Sequence, residues 1–140
     1  MPARTDRDRP GAAGDGELVY QAARLLRLRY DRWRHGVAAA VRTASGRVYL
    51  GVNLDGIHAP CAEPVAIGAA LTAGDRELEA MVAVGRRGAR YPILPPCGTC
   101  RQLLFDYAPE AYVLVPGPGG RPRRLGARAA LPSPFSSHGP

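Results

Sequence analysis

All three cysteines of this 140-residue chain fall in two short stretches, Cys61-Ala62-Glu63 and Pro96-Cys97-Gly98-Thr99-Cys100. If the thiols are to act together, the fold must bring pieces 36 positions apart to one point. Three thiolates are what a catalytic Zn²⁺ takes from a protein when it keeps a fourth position for water. Glu63, two residues after the first thiol, adds a proton carrier. A Cys-x-x-Cys pair alone is weaker evidence, since it also occurs in redox couples and in halves of structural zinc knuckles. A closed structural site needs a fourth protein ligand, and His58, three residues before Cys61, is the nearest candidate. His35 and His138 read as surface or packing histidines. Glu63 favours the catalytic arrangement, because a closed site has no use for an acid aimed at the metal. Its plain alternative is a carboxylate decorating a helix N-terminus.

The rest of the chain reads as a scaffold for these two stretches. Residues 1–16 mix Arg, Asp, Pro and Gly without an apolar period, and are expected to form a mobile tail. From Glu17 the positions Leu18, Ala22, Leu25, Leu26, Tyr30 and Trp33 share one helical face, which predicts core packing for both aromatics. Strands are expected at 37–41, 48–52, 79–85 and 112–115, with a short fifth at 123–125. Ala44-Ser45-Gly46 makes a turn, 53–60 and 86–94 read as loops, and Pro109 ends the second cysteine helix. Helices start near Cys61, running to about Thr72 with Gly74 as the stop, and at Cys97. Pro64 is tolerated there only in a first turn. This alternation predicts an α/β sheet with helices on both faces, the two cysteine helices pointing their N-termini at one spot. The catalytic domain is expected over 17–135, with a flexible end at 136–140.

Composition narrows the class. The 46% hydrophobic fraction suits one globular domain, and no apolar run approaches the ~18 residues of a membrane span. Three cysteines do not make a secreted disulfide scaffold, and nothing near the start resembles a secretory signal, so a cytoplasmic location is expected. The formal charge of +7 invites a nucleic-acid partner, but all nineteen basic residues are arginine. Abundant alanine, glycine and proline fit codon bias in a GC-rich genome, and aromatics are only 6%. A polynucleotide groove usually interleaves lysine and stacking aromatics, so nucleic acid is not the expected partner.

The form Cys-Ala-Glu…Pro-Cys-Gly-Thr-Cys resembles the zinc-dependent cytidine deaminase family, including blasticidin S deaminase. The likeness runs from about Val37 to Phe135 and takes in Gly46-Arg47-Val48-Tyr49, Gly51-Val52-Asn53 and Leu131-Pro132. It implies a mixed five-stranded sheet sandwiched by helices, in a homotetramer or homodimer. It also implies Cys61, Cys97 and Cys100 as zinc ligands, Glu63 as proton shuttle, and Asn53, the only asparagine, as a sugar contact. Phe135 resembles a C-terminal aromatic that approaches a neighbouring subunit's site. Arg101, directly after Cys100, is a candidate to draw charge from the sulfurs, its alternative being a solvated side chain. Asn53 and Asp55, two apart at a strand end, would face one pocket rim, or Asn-Leu-Asp-Gly is simply a turn.

The chain departs from the cytidine deaminase pattern in its shorter loop after Asn53, in Pro64 after the glutamate, and in His35 where a phenylalanine is common. Pro60 and Pro64 look more like blasticidin S deaminase. The substrate implied is a cytosine-type nucleoside, or a modified one such as an antibiotic; a nucleic-acid-editing enzyme is the remoter alternative.

Overall fold

The computed structural model describes residues 14–137. Helix α1 (Asp15–Arg29) starts two residues earlier than the periodicity suggests, inside the expected tail. Residues 1–13 and 138–140, with His138 among them, lie outside the described residues. Strands β1 (Ala38–Thr43) and β2 (Val48–Val52) form an antiparallel hairpin, with Ala40 opposite Leu50. Helix α2 (Ala62–Thr72), strand β3 (Leu78–Val84), the two-residue strand β4 (Ile93–Leu94) and helix α3 (Gly98–Tyr107) follow. Strands β5 (Tyr112–Pro116) and β6 (Pro122–Gly126) and a one-turn helix α4 (Ala127–Ala130) complete the chain.

The sheet order is β2-β1-β3-β5-β6, with β4 pairing the end of β3, six strands where five were expected. β1 runs antiparallel to both β2 and β3, whereas β3 and β5 are parallel through Met81 and Val113. The sheet is therefore mixed. The unexpected strand is β4, whose Leu94 pairs with Ala83 in a segment read as a polar loop. Two residues carry no readable alternation.

β1 is buried along its whole length because both its faces are covered. Ala38 and Ala40 face α1, packing with Leu18, Ala22 and Leu26. Ala39 and Val41 face the other way, toward Ala66, Ile67 and Leu104 of α2 and α3. The sheet is thus one layer between two helical layers. Small alanines let both layers approach closely.

Tyr30 and Trp33 do not pack in the core. The helix stops at Arg29, so the 3.6-residue face that would have buried them is lost, and Trp33 is 76% exposed. Asp31 begins a tight turn instead. Its Oδ1 accepts the N–H groups of Trp33 (2.8 Å) and Arg34 (3.0 Å), and its backbone pairs with His35.

Both connections that lead to the cysteines are crossovers. β2 and β3 are each antiparallel to β1, so they point the same way, with α2 between them in the chain. α3 joins β3 to β5 in the same sense. Helices made this way begin at the same edge of the sheet, beyond the carboxyl ends of the strands, where α/β folds hold their ligands. Gly51 brings α2 close: a Cβ there would sit 2.6 Å from Ala66 N and 2.8 Å from Val65 Cγ1. Gly74, with φ +80°, ends α2 in a Schellman motif, its N–H bonding Leu71 O and that of Asp75 bonding Ala70 O.

Candidate active site

Cys61 and Cys97 occupy equivalent places, each the N-cap of its helix, and Cys100 lies one turn into α3. Cys61 Sγ is 3.7 Å from Cys97 Sγ, which is 3.5 Å from Cys100 Sγ. All three sulfurs lie within 4.8 Å of one another, and among the described residues no histidine joins the cluster; His58 is exposed. This set fits the implied metal. Zn–S bonds of about 2.3 Å at tetrahedral angles place sulfurs about 3.8 Å apart, close to what the chain shows.

Electrostatics argue the same way. Burial pushes the Cys100 thiol well up, and the nearby Glu63 carboxylate adds to this. Burial also raises Cys61. Burial opposes ionisation of Cys97 too, but the backbone N–H and the thiol of Cys100 outweigh it and hold that thiol below its ordinary value. Three thiolates together need a compensating cation, which is what a divalent metal supplies.

Glu63 stands in the first turn of α2, only 5% exposed, and its Oε2 accepts the Cys100 thiol at 3.2 Å. Pro64 follows without cost, because a first-turn N–H has no intrahelical acceptor to lose. Glu63 borders a cavity of about 310 Å³ whose walls include Val37, Asn53, Leu54, Pro60, Cys61, Leu94, Pro95 and Cys97. β4 was overlooked as a strand, yet its Leu94 forms one side of the cavity. Val37 was likewise not expected at the site.

The remaining candidates separate. Asn53 lines the cavity, but its side chain is engaged by backbone: Oδ1 accepts Val37 N–H at 3.0 Å and Nδ2 donates to Arg34 O at 3.4 Å. His35 Nδ1 lies 2.8 Å from Asn53 O. Asp55 is exposed and outside the cavity walls, because β2 ends at Val52 and the alternation that would have turned Asp55 inward stops there. Arg101 turns away from the sulfurs; its Nε donates to Pro96 O (2.8 Å) and its Nη1 to Ala130 O (3.2 Å), fixing the backbone just before Cys97. Phe135 is 76% exposed and does not line the cavity of its own chain, while its carbonyl accepts Gln102 Nε2 at 3.0 Å.

Comparison with known proteins agrees with this geometry. The family model for the cytidine and deoxycytidylate deaminase zinc-binding region matches residues 15–115. Blasticidin-S deaminase from Bacillus cereus is 35% identical over 114 residues, which cover 72% of this chain and 78% of that protein. Cytidine deaminase from Mycobacterium tuberculosis is 36% identical over 109 residues, 76% of this chain and 77% of that one. The crystal structure of cytidine deaminase from Burkholderia pseudomallei superposes with a TM-score of 0.72 at 30% identity, covering 88% of this chain and 100% of that chain. With a sheet, two helix-capping cysteine motifs and a buried glutamate of this kind, the chain belongs to the cytidine and deoxycytidylate deaminase family, hydrolases that cleave a C–N bond.

Proposed function

We propose that this protein is a zinc-dependent hydrolase that converts a cytosine-type nucleoside, cytidine or deoxycytidine, to its uracil form with release of ammonia. The observation that carries the reading is the buried Glu63 carboxylate beside three converging thiols, with Glu63, Cys61 and Cys97 lining one cavity. Cys61, Cys97 and Cys100 would hold the zinc, which when bound acts as a Lewis acid and makes water nucleophilic near neutral pH. Glu63 does the proton work. It accepts a proton as the water oxygen adds to ring carbon four, passes it to the adjacent ring nitrogen, and delivers the next one to the departing amine. Water and nucleoside thereby become uracil nucleoside and ammonia. Val37, Leu94 and Pro95 give the base an apolar slot, and Asn53 holds the segment that carries Val37.

The test is ammonia release from cytidine and deoxycytidine by wild-type protein and two variants. Cys97→Ser should lose both metal and turnover. Glu63→Gln should keep its zinc and its fold while turnover falls by ~10²–10⁴-fold, as expected for lost acid–base catalysis. Near-normal turnover by Glu63→Gln would remove it from the mechanism.

A second reading, a modified cytosine nucleoside as substrate, is favoured by the 35% identity to Blasticidin-S deaminase and by Pro60 on the cavity wall. Including blasticidin S in the same assay separates the two. The reading also places the protein in the cytoplasm, where the thiols stay reduced, as a homodimer or homotetramer. Exposed Ile57 (96%) and Phe135 (76%) support the assembly, which a sedimentation mass above 14.9 kDa would verify. Among the described residues no helix is long and apolar enough to cross a membrane.

A further inference from the structure

Arginine is not spread evenly over the surface. The end of α1 and the turn after it carry Arg27, Arg29, Arg32 and Arg34, all exposed. The loop between β3 and β4 carries Arg86, Arg87 and Arg90, also exposed. These segments are more than fifty positions apart in the chain, yet they touch: the Arg86 guanidinium lies 4.5 Å over the Tyr30 ring. Residues 27–35 and 85–91 together contain one acid, Asp31, whose Oδ1 is already spent on the N–H groups of Trp33 and Arg34.

Both segments are held in shape. The Asp31 turn presents Trp33 at its tip, and Arg87 and Arg90 exchange backbone hydrogen bonds of 2.8 and 3.0 Å across Gly88. Arg32 lies 5.0 Å over the Trp33 ring, which remains 76% exposed. The result is a rigid basic shelf bearing a planar aromatic platform. It adjoins the cavity, since Arg34 O accepts from the cavity residue Asn53 and the 85–91 loop runs on into Leu94.

We propose that this shelf binds single-stranded nucleic acid, with phosphates on the arginines and a base stacked on Trp33. Guanidinium groups pair with phosphate oxygens, and an exposed indole offers a stacking face that any base can use. A membrane anchor would show a continuous apolar face, whereas the exposed Leu28 and Trp33 here are set among arginines and Arg86 lies over the Tyr30 ring. The shelf does not depend on the chemistry in the cavity, and the strand need not be deaminated.

Trp33 is the only tryptophan of the chain, so intrinsic fluorescence reads the shelf directly. The probe is an oligothymidylate of about twelve nucleotides, long enough for one site and without cytosine for the cavity. The expected result is saturable quenching whose affinity falls ~100-fold between 50 and 200 mM salt, as for about five neutralised phosphates. The combined variant Arg86→Glu, Arg87→Glu, Arg90→Glu should weaken binding at least tenfold and leave zinc content and cytidine turnover unchanged. With a labelled strand followed by anisotropy, Trp33→Ala should cost about another tenfold. Absence of quenching at 50 mM salt overturns the proposal. So does undiminished binding by the charge-reversed variant, or quenching by phosphatidylglycerol vesicles in place of the oligonucleotide.

Discussion

At the scale of single residues, Asn53 links the cavity to its support. Its Oδ1 satisfies the Val37 N–H, and Val37 is itself a cavity wall. Asn53→Ala leaves that partly buried donor without its acceptor, which costs about 1–3 kcal/mol of stability. The expected outcome is a lowered Tm and a raised KM with kcat less affected, because the Val37 wall of the cavity loosens while Glu63 stays in place. Asn53→Asp retains an acceptor for Val37 and should recover most of the Tm. An Asn53→Ala protein of unchanged Tm that nevertheless loses turnover would assign the side chain to the sugar.

Asp75 offers a pH test at the same scale. Its Oδ2 accepts hydroxyl hydrogen bonds from Thr43 (2.7 Å), Ser45 (2.7 Å) and Tyr49 (3.0 Å). These donors, Thr43 first, hold the carboxyl below the ordinary range. A group with a lowered folded pKa adds stability that is complete above its unfolded value, near ~3.9, and disappears as pH falls through the folded value. The Tm gap between wild type and Asp75→Asn should therefore be constant from pH 7 to about 5 and close below about 4. A gap that widens on acidification would contradict the assignment.

At the scale of elements, Gly51 decides how near α2 can come. Its absent Cβ leaves room for Ala66 N and Val65, and α2 carries Cys61 and Glu63 at its start. Gly51→Ala should force the helix outward, with an overpacking cost of about 1–3 kcal/mol and weaker zinc retention under chelator challenge. Unchanged zinc retention would show that the helix start moves independently of its body.

Elements punctuated by Gly, Pro and the cysteine motifs were legible in the sequence. β2 spans the expected 48–52, and both cysteine helices begin where Pro64 and Pro96 require. Trp33 and Tyr30 were misread because apolar spacing continues past the point where the helix stops. The convergence of Cys61, Cys97, Cys100 and Glu63 followed from the motifs, while the cavity roles of Val37 and Leu94 depend on pairings between distant strands. Of the two readings of Asp55, pocket rim or turn, the rim rested on carrying strand alternation past the end of β2 at Val52, and the residue lies exposed outside the cavity walls.

At the scale of the whole molecule, the +7 charge belongs to location more than to number. A count of arginines cannot show that residues 27–34 and 86–90 meet, because only the packing of α1 against the sheet brings them together. The cavity has a different character, with apolar walls from Val37, Leu94 and Pro95 and its carboxylate buried. A neutral nucleoside entering it displaces few counterions, so its kcat/KM should change less than about twofold between 50 and 200 mM salt. Over the same range the affinity of a strand for the shelf should fall about a hundredfold. Measured on one preparation, the two salt dependences separate small-molecule chemistry from polyanion docking. Parallel falls in both would mean that the substrate itself is anionic and reaches the cavity by way of the arginines. Turnover of cytosine-containing oligonucleotides faster than of free nucleosides would make the strand the substrate and overturn the nucleoside assignment.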